Sequence, residues 1–367
     1  MTKKIYTFLL AIVCSISAFS LIVSAENTES YNPCEELMCI SYRGDTTIYE
    51  ANSEDAVLSA FSKGADFVSV SVRKSPSGDF VLCSENALEV KGVLLKNMIS
   101  ALEENQVLIL DFDKEHKDEI YALLKDENAL NKVWLRIKDS ATEISKWTSD
   151  KDDVNVIGVT SSFNIFTISS FVKKLSHLPA VQLQSKNYFN VMYDSWCYSL
   201  YGSDDGTRAV APMYDPDLCG QRSDSEDGWN NLIKKNFSII ETNNIESFAA
   251  YKELNIKLKE NLITLVEKAK AIDTEAYSLV SKENLADGIE TGEKLINDGL
   301  VSNDELQSAA SSLQRAINNM TLSDGTDTQK GALNITAGKV IAVLLVGIVI
   351  LSAQIYTYKM QKKKTKN

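Results

Sequence analysis

Between residues 36 and 250, short apolar runs recur with amphipathic stretches between them, and this alternation limits the possible folds more than any other feature of the chain. The runs are "LMCIS" (37–41), "DFVSVSV" (66–72), "VLILDF" (107–112), "KVWLRI" (132–137), "VNVIGVT" (154–160), "PAVQLQ" (179–184), "AVAPMY" (209–214) and "FSIIET" (237–242). Each has the length of a strand, and most are rich in Val, Ile and Leu. A further run, "FVLCS" (80–84), follows the second closely and predicts a hairpin excursion. Between the runs lie segments such as "SEDAVLSAFSKG" and "KDEIYALLKDEN", whose apolar residues keep a helical period. Eight strands alternating with helices predict an α/β protein built on a (β/α)8 TIM-type barrel. The segments "GSDDGTR" (202–208) and "GQRSDSEDG" (220–228) read as loops.

Strand patterns stop after residue 250. Residues 256–320 hold three helical stretches and predict a small three-helix bundle, with Leu258, Leu262, Leu265, Val266 and Ala269 on one face of the first. Ser281 and Ser302 are the expected N-caps, Ser302 with Glu305 three residues on as a capping box. A polar linker over 321–336 follows.

The two ends carry address signals. Residues 1–25 open with Lys3 and Lys4, continue as an apolar run over 5–23, and end in Val23-Ser24-Ala25. This is the pattern of a cleaved secretory signal peptide, an uncleaved anchor being the alternative. Residues 337–358 contain an almost wholly apolar core over 340–356, about 20 residues with its flanks and enough for a membrane-spanning helix. Tyr356 and Tyr358 suit the headgroup level, and the lysines of the tail, 359–367, predict that this end is cytoplasmic. The expected topology is a bacterial single-pass membrane protein whose N-terminal ectodomain is extracellular. A net charge of -12 argues against a nucleic-acid partner. Cys14 falls in the leader, leaving an odd set of Cys34, Cys39, Cys83, Cys197 and Cys219. Outside the cell, Cys197 with Cys219 is the first pairing to expect, buried free thiols the alternative, and no spacing resembles a zinc site.

One tripeptide poses a choice. Arg43-Gly44-Asp45 follows the first predicted strand and reads either as an adhesive loop or as part of a barrel mouth. Its surroundings favour the second. The run Tyr42-Arg43-Gly44 is followed nine residues after Tyr42 by Ala51-Asn52, then by Gly64-Ala65-Asp66, Ser69-Val70-Ser71 and Ser84-Glu85. Late in the barrel comes "GWNNLIKKNFSIIETNN". This frame resembles the glycerophosphodiester phosphodiesterase family from about Met38 to Ile245. In that family the corresponding positions read His-Arg-Gly, Glu-Asn, Gly-Ala-Asp, Glu-x-Asp and His-Asp.

The resemblance implies a two-imidazole mechanism and a divalent cation held by carboxylates. Here Tyr42 and Ser84 replace the two imidazoles, and a phenol or an aliphatic hydroxyl is a poor proton acceptor at neutral pH. Ala51, Ser69 and Ser71 replace metal-ligand positions, and neutral groups hold calcium or magnesium weakly. Asp111 stands at the family's third carboxylate position, as a possible residual ligand, with Asp113 two residues on. Of the two histidines, His177 is expected at the barrel bottom and His116 at the start of a helix. The expectation is a catalytically inactive member, without a required cofactor, that acts by binding or interaction at the cell surface, with Arg43 as the candidate for a phosphate-bearing or other anionic ligand. Its protein partners are not legible. The alternative is an active metal-dependent hydrolase of lipid metabolism, releasing an alcohol and glycerol 3-phosphate. It would use calcium or magnesium in a rebuilt acidic site of Asp111, Asp113 and Glu50 or Glu85, with Tyr42 or His116 moving the proton. A third reading makes the barrel purely structural.

Overall fold

The computed structural model describes residues 37–84, 86–160, 165–184, 207–213 and 224–323. Two compact units result, one reaching to Glu260 and including Leu295–Gln307, the other comprising Asn261–Lys294 and the residues from Ser308 on.

In the first unit the strands are β1 (Met38–Tyr42), β2 (Phe67–Lys74), β3 (Phe80–Leu82), β4 (Val107–Asp111), β5 (Val133–Lys138), β6 (Asn155–Thr160), β7 (Ala180–Leu183), β8 (Arg208–Ala211) and β9 (Ile239–Thr242). Their order is β1-β9-β8-β7-β6-β5-β4-β2-β3, and β1 also pairs with β2. That last pairing closes eight parallel strands into a barrel. Ile40 sits in register with Phe67 on one side and Glu241 on the other. The exception is β3, which runs antiparallel on β2 as the expected hairpin, with Val72 opposite Leu82.

The interleaved helices are α1 (Glu54–Ser62), α2 (Leu95–Ala101), α3 (Lys117–Asp126), α4 (Ala141–Thr148), α5 (Ile165–Lys174) and α6 (Glu226–Ile233). Ser53 and Ser140 cap α1 and α4, accepting from the backbone N–H groups of Ala56 and Glu143 at 3.2 Å.

Strand side chains alternate between two faces. Ile40, Phe67, Ile109, Ile157, Val210 and Ile239 fill the barrel interior. Their neighbours Cys39, Val68, Leu108, Leu135, Val156 and Ile240 pack outward against helix residues such as Val57, Ile120, Ile144 and Phe248. Both faces are apolar, so the strands read as nearly unbroken hydrophobic runs. Cys39 and Cys83 are buried free thiols. Burial above all pushes the Cys39 thiol up to about 12, which leaves it unreactive.

Gly64-Ala65-Asp66 has a scaffold role. Gly64 takes φ +93°, and Asp66 accepts the backbone N–H of Cys39 at 2.7 Å and holds Lys252 at 2.7 and 2.9 Å. The motif therefore ties the start of β1 to the turn that leads into β2.

The C-terminal helices are α7 (Ile245–Lys270), α8 (Leu279–Asn297) and α9 (Asn303–Asn318). Two features differ from expectation. No separate helix starts near residue 256: α7 is one helix of 26 residues, because "AYKELNI" contains no Gly, Pro or capping break, and the division between the units falls within it after Glu260. Likewise the cap of α8 is Ser278, whose Oγ accepts the N–H of Ser281 at 3.3 Å. Ser281 itself is buried and accepts the N–H of Thr321 at 3.0 Å. The box before α9 stands, with Glu305 reaching back to the N–H of Ser302 at 3.1 Å.

In the second unit Leu262, Val266, Ala269, Leu285 and Leu313 are buried. A Cβ on Gly292 would meet Val266 at 2.6 Å, so α8 and this part of α7 approach closely because that position has no side chain.

Among the described residues no helix is long and apolar enough to cross a membrane. The expected signal peptide, the apolar run at 340–356 and its lysine tail lie outside the described residues, as do Cys34, Cys197, Cys219 and Glu85.

Candidate functional site

The turn leaving β1 shapes one side of the barrel mouth. Arg43 and Gly44 both take positive φ, +69° and +89°. A Cβ on Gly44 would stand 2.7 Å from the backbone of Ala56, so only glycine fits. Asn52, also left-handed at φ +64°, donates its N–H to the carbonyl of Arg43 at 2.9 Å, and its Oδ1 accepts the N–H of Ser71 at 2.8 Å. The Arg-Gly turn is thereby fixed to the end of β2.

Asp45 faces inward. Its carboxylate is 2% exposed and accepts Thr47 Oγ1 at 2.5 Å, Ser59 Oγ at 2.7 Å and Lys63 Nζ at 2.9 Å. Burial alone would raise its pKa, but the hydrogen bonds from Thr47, Lys63 and Ser59 outweigh this and hold it down at about 2. With Arg43 also buried, the adhesive reading of the tripeptide fails, because neither charged group is presented to a receptor.

Above the apolar interior opens a cavity of about 830 Å³ at the C-terminal ends of the strands. Its floor is a chain of ion pairs. Arg43 Nη1 donates to Asp111 Oδ2 at 2.6 Å. Arg136 Nη1 donates to the same carboxylate at 3.1 and 3.3 Å, and Arg136 Nη2 to Glu241 Oε1 at 2.8 Å. Glu241 Oε2 also accepts the N–H of Met213 at 2.7 Å.

Strand register explains the arrangement. Asp111 is the direct partner of Arg136 across β4 and β5, and Glu241 reaches over from β9. Burial opposes the charge of each arginine, and the carboxylates more than offset it, so the pKa values of Arg136 and Arg43 lie above the ordinary value. The guanidinium of Arg43 also rests over the ring of Tyr42, 4.6 Å from its centre.

The sequence-predicted residues are only partly brought together. Tyr42, Arg43, Asp111 and Asp113 line the cavity. Ser69 and Ser71 are buried beside it, and the Ser69 hydroxyl donates to the carbonyl of Ser41 at 3.3 Å. Ala51, Glu50 and Ser84 are exposed. His116 pairs with Glu119 at 3.1 Å, and His177, before β7 at the opposite end of the barrel, contacts Thr148 at 2.9 Å.

These residues do not fit a divalent cation. Both oxygens of Asp111 face guanidinium groups, which would repel a metal ion. Among the described residues no three His, Cys, Asp or Glu side chains form a ligand set. Arg136, Glu241, Lys138 and Gln182 also line the cavity and were not singled out from the sequence. Their signal is parity: Trp134, Arg136 and Lys138 alternate on one face of "KVWLRIK", and Trp134 packs against the interior cluster.

No protein-family profile matches the chain, and no curated protein matches it. Solved structures align with part of the chain. A glycerophosphoryl diester phosphodiesterase from Parabacteroides distasonis aligns at 15% identity over 61% of this chain and 89% of its own, with a TM-score of 0.49. The glycerophosphodiester phosphodiesterase of Thermotoga maritima aligns at 14% identity over 59% and 98%, with a TM-score of 0.43. A glycerophosphodiester phosphodiesterase from Agrobacterium tumefaciens gives 12% identity over 58% and 98%, with a TM-score of 0.42. At this identity and these TM-scores the likeness assigns the chain no activity.

Two outcomes follow. Arg136→Ala leaves Asp111 and Glu241 facing each other without their shared cation and lowers folding stability by about 3–5 kcal/mol, whereas the pair Arg136→Met with Glu241→Gln loses less; denaturant titration of both variants checks this. For Asp45, a folded pKa below the ordinary value of 3.8 means a contribution fully present above that value and lost as pH falls through about 2. Asp45→Asn therefore costs about 2 kcal/mol near neutrality, and the gap to the parent protein closes between pH 4 and pH 2, as thermal melts across that range will read.

Proposed function

We propose that this chain is a membrane-anchored barrel of the glycerophosphodiester phosphodiesterase kind that binds a small ligand at its mouth and does not hydrolyse phosphodiesters. One observation carries the reading: the carboxylate at the family's third ligand position, Asp111, is held by the guanidinium groups of Arg43 and Arg136. Hydrolysis of a phosphodiester needs a proton acceptor and donor near neutral pH and stabilisation of the developing charge. Tyr42 is at the mouth but has a phenol for an imidazole, and Ser84 is solvent-exposed. Any anion entering at Arg43 has to compete with Asp111 for it.

Export and anchoring belong to the same proposal. The pattern of residues 1–25 and the apolar run 340–356 before the lysine tail support an extracellular barrel tethered by one helix.

The test is release of glycerol 3-phosphate from glycerophosphodiesters by the purified protein, with calcium, with magnesium and with chelator, beside an active phosphodiesterase as the scale. The expected outcome is no release above background in any condition. Metal-dependent release that a chelator stops and Asp111→Ala abolishes would overturn the proposal.

A further inference from the structure

Three large apolar side chains are exposed at one corner of the second unit. Leu279 is 44% exposed, Val280 59% and Leu322 70%. Single exposed apolar residues are ordinary on a protein surface, whereas a cluster marks a contact. The backbone makes these a cluster. Tyr277 and Leu322 face each other in an antiparallel bridge, which puts their side chains on one side. Ser278 donates its N–H to the carbonyl of Thr321 at 2.9 Å, and Ser323 donates to that of Ala276 at 3.0 Å. Leu279 and Val280 follow directly as the start of α8, which is fixed to Thr321 through the hydroxyl of Ser281 at 3.2 Å.

The chain beyond the corner narrows what can cover it. Ser323 is held to the corner, and the apolar run expected to span a membrane starts at residue 340. Sixteen residues, 324–339, lie between, and a chain of that length reaches at most about 55 Å extended and averages about 22 Å as a coil. A bilayer is therefore the apolar partner that this corner meets at the highest effective concentration. A patch too small to hold a free protein on lipid is sufficient for a tethered one. The chemistry suits the membrane boundary: leucine and valine enter the acyl region, and the phenol of Tyr277 belongs at the headgroup level. The flanking charges, Asp273, Glu275, Lys282 and Glu283, give no basic excess, so attraction to anionic lipid plays no part.

We infer that the corner formed by Tyr277, Leu279, Val280 and Leu322 rests on the surface of the membrane that holds the apolar run at 340–356. This rests on the anchoring proposed above and adds a second, peripheral contact to it.

The experiment uses the full chain reconstituted into phosphatidylcholine vesicles with brominated acyl chains, which quench nearby indoles. Leu322→Trp places an indole in the corner. Glu290→Trp places one at an exposed position of α8, about 16 Å along the helix from Leu279. Quenching is read as the difference from the parent chain. Leu322, Glu290, Leu279 and Val280 are all exposed, so replacing them leaves the packed interior of the unit intact.

The expected quenching for Leu322→Trp is at least threefold that for Glu290→Trp. At least half of it is lost when Leu279→Ser and Val280→Ser are added, and phosphatidylglycerol in the vesicles does not raise it. Equal quenching at the two positions, none for Leu322→Trp, or quenching that the serines leave unchanged overturns the inference. So does an unquenched indole in a chain that sediments in detergent as a dimer and loses it with the two serines, which makes a second copy the partner of the corner. Vesicle flotation separates the two readings. A chain that floats with the vesicles but is not quenched keeps the anchor and loses the corner contact, whereas one that does not float overturns both.

Discussion

The guanidinium of Arg136, buried between Asp111 and Glu241, is the contact on which the upper layer of the barrel depends. It joins β5 to its neighbour β4 and, across the interior, to β9, and Glu241 extends the link to the backbone of Met213 after β8. Below it the interior is closed by Ile40, Ile109, Ile157, Val210 and Ile239, which need only volume and apolarity. The ionised side chains at that height are paired in alternating charge. Asp111 has two cationic neighbours and Arg136 two anionic ones, so no formal charge of the four is left uncompensated. Such a layer is no more stable than a well-packed apolar one, because desolvation of the ions offsets most of their attraction. Its presence is better explained by what the open side of the layer does than by stability.

The same layer accounts for the uneven legibility of the chain. Strands were legible because each carries a compact apolar run, buried on both faces, and every proposed run contains one of the observed strands or overlaps it closely. The turn after β1 was legible through glycine, since Gly44 has no room for a Cβ against Ala56. The charged floor was not read. Asp111 was assigned by its place in a family frame, as a residual metal ligand, while its arginine partners come from β5 and the turn after β1 and leave no local trace. Glu241 sits in "SIIETN", where one acid in an apolar run looks like a surface charge until its alternation with Ile239, which fills the barrel interior, places it inward. Pairing across the barrel is a property of register, and one strand at a time does not reveal it.

Local signals also failed where they competed. Ser278 and Ser281 both precede an apolar helical pattern, and either satisfies the capping rule. The difference is made by Thr321, whose N–H and hydroxyl lie against Ser281 and take it into the unit's interior. Continuity of α7 through residues 250–256 follows from the absence of any helix breaker there. A change in the type of pattern, from strands to helices, was a poorer guide to a boundary than the absence of a stop signal.

The Arg-Gly-Asp tripeptide shows how far context decides the meaning of three residues. Arg43 turns into the mouth and pairs with Asp111; Gly44 permits the close approach to α1; Asp45 turns the other way and fastens the turn to Ser59 and Lys63 of and beside that helix. Each residue serves the placement of the next. Holding Arg43 in a left-handed conformation is unfavourable for a non-glycine residue, and the bonds through Asn52 and Asp45 offset it. Strain held in this way at a cavity wall places one guanidinium beside Asp111 with little freedom to move, so the charge pattern of the mouth is set before any ligand arrives. The floor is thus internally paired, and the charge that an entering ligand meets first is that of the wall above it, where Arg73, Lys138 and Asp113 also line the cavity.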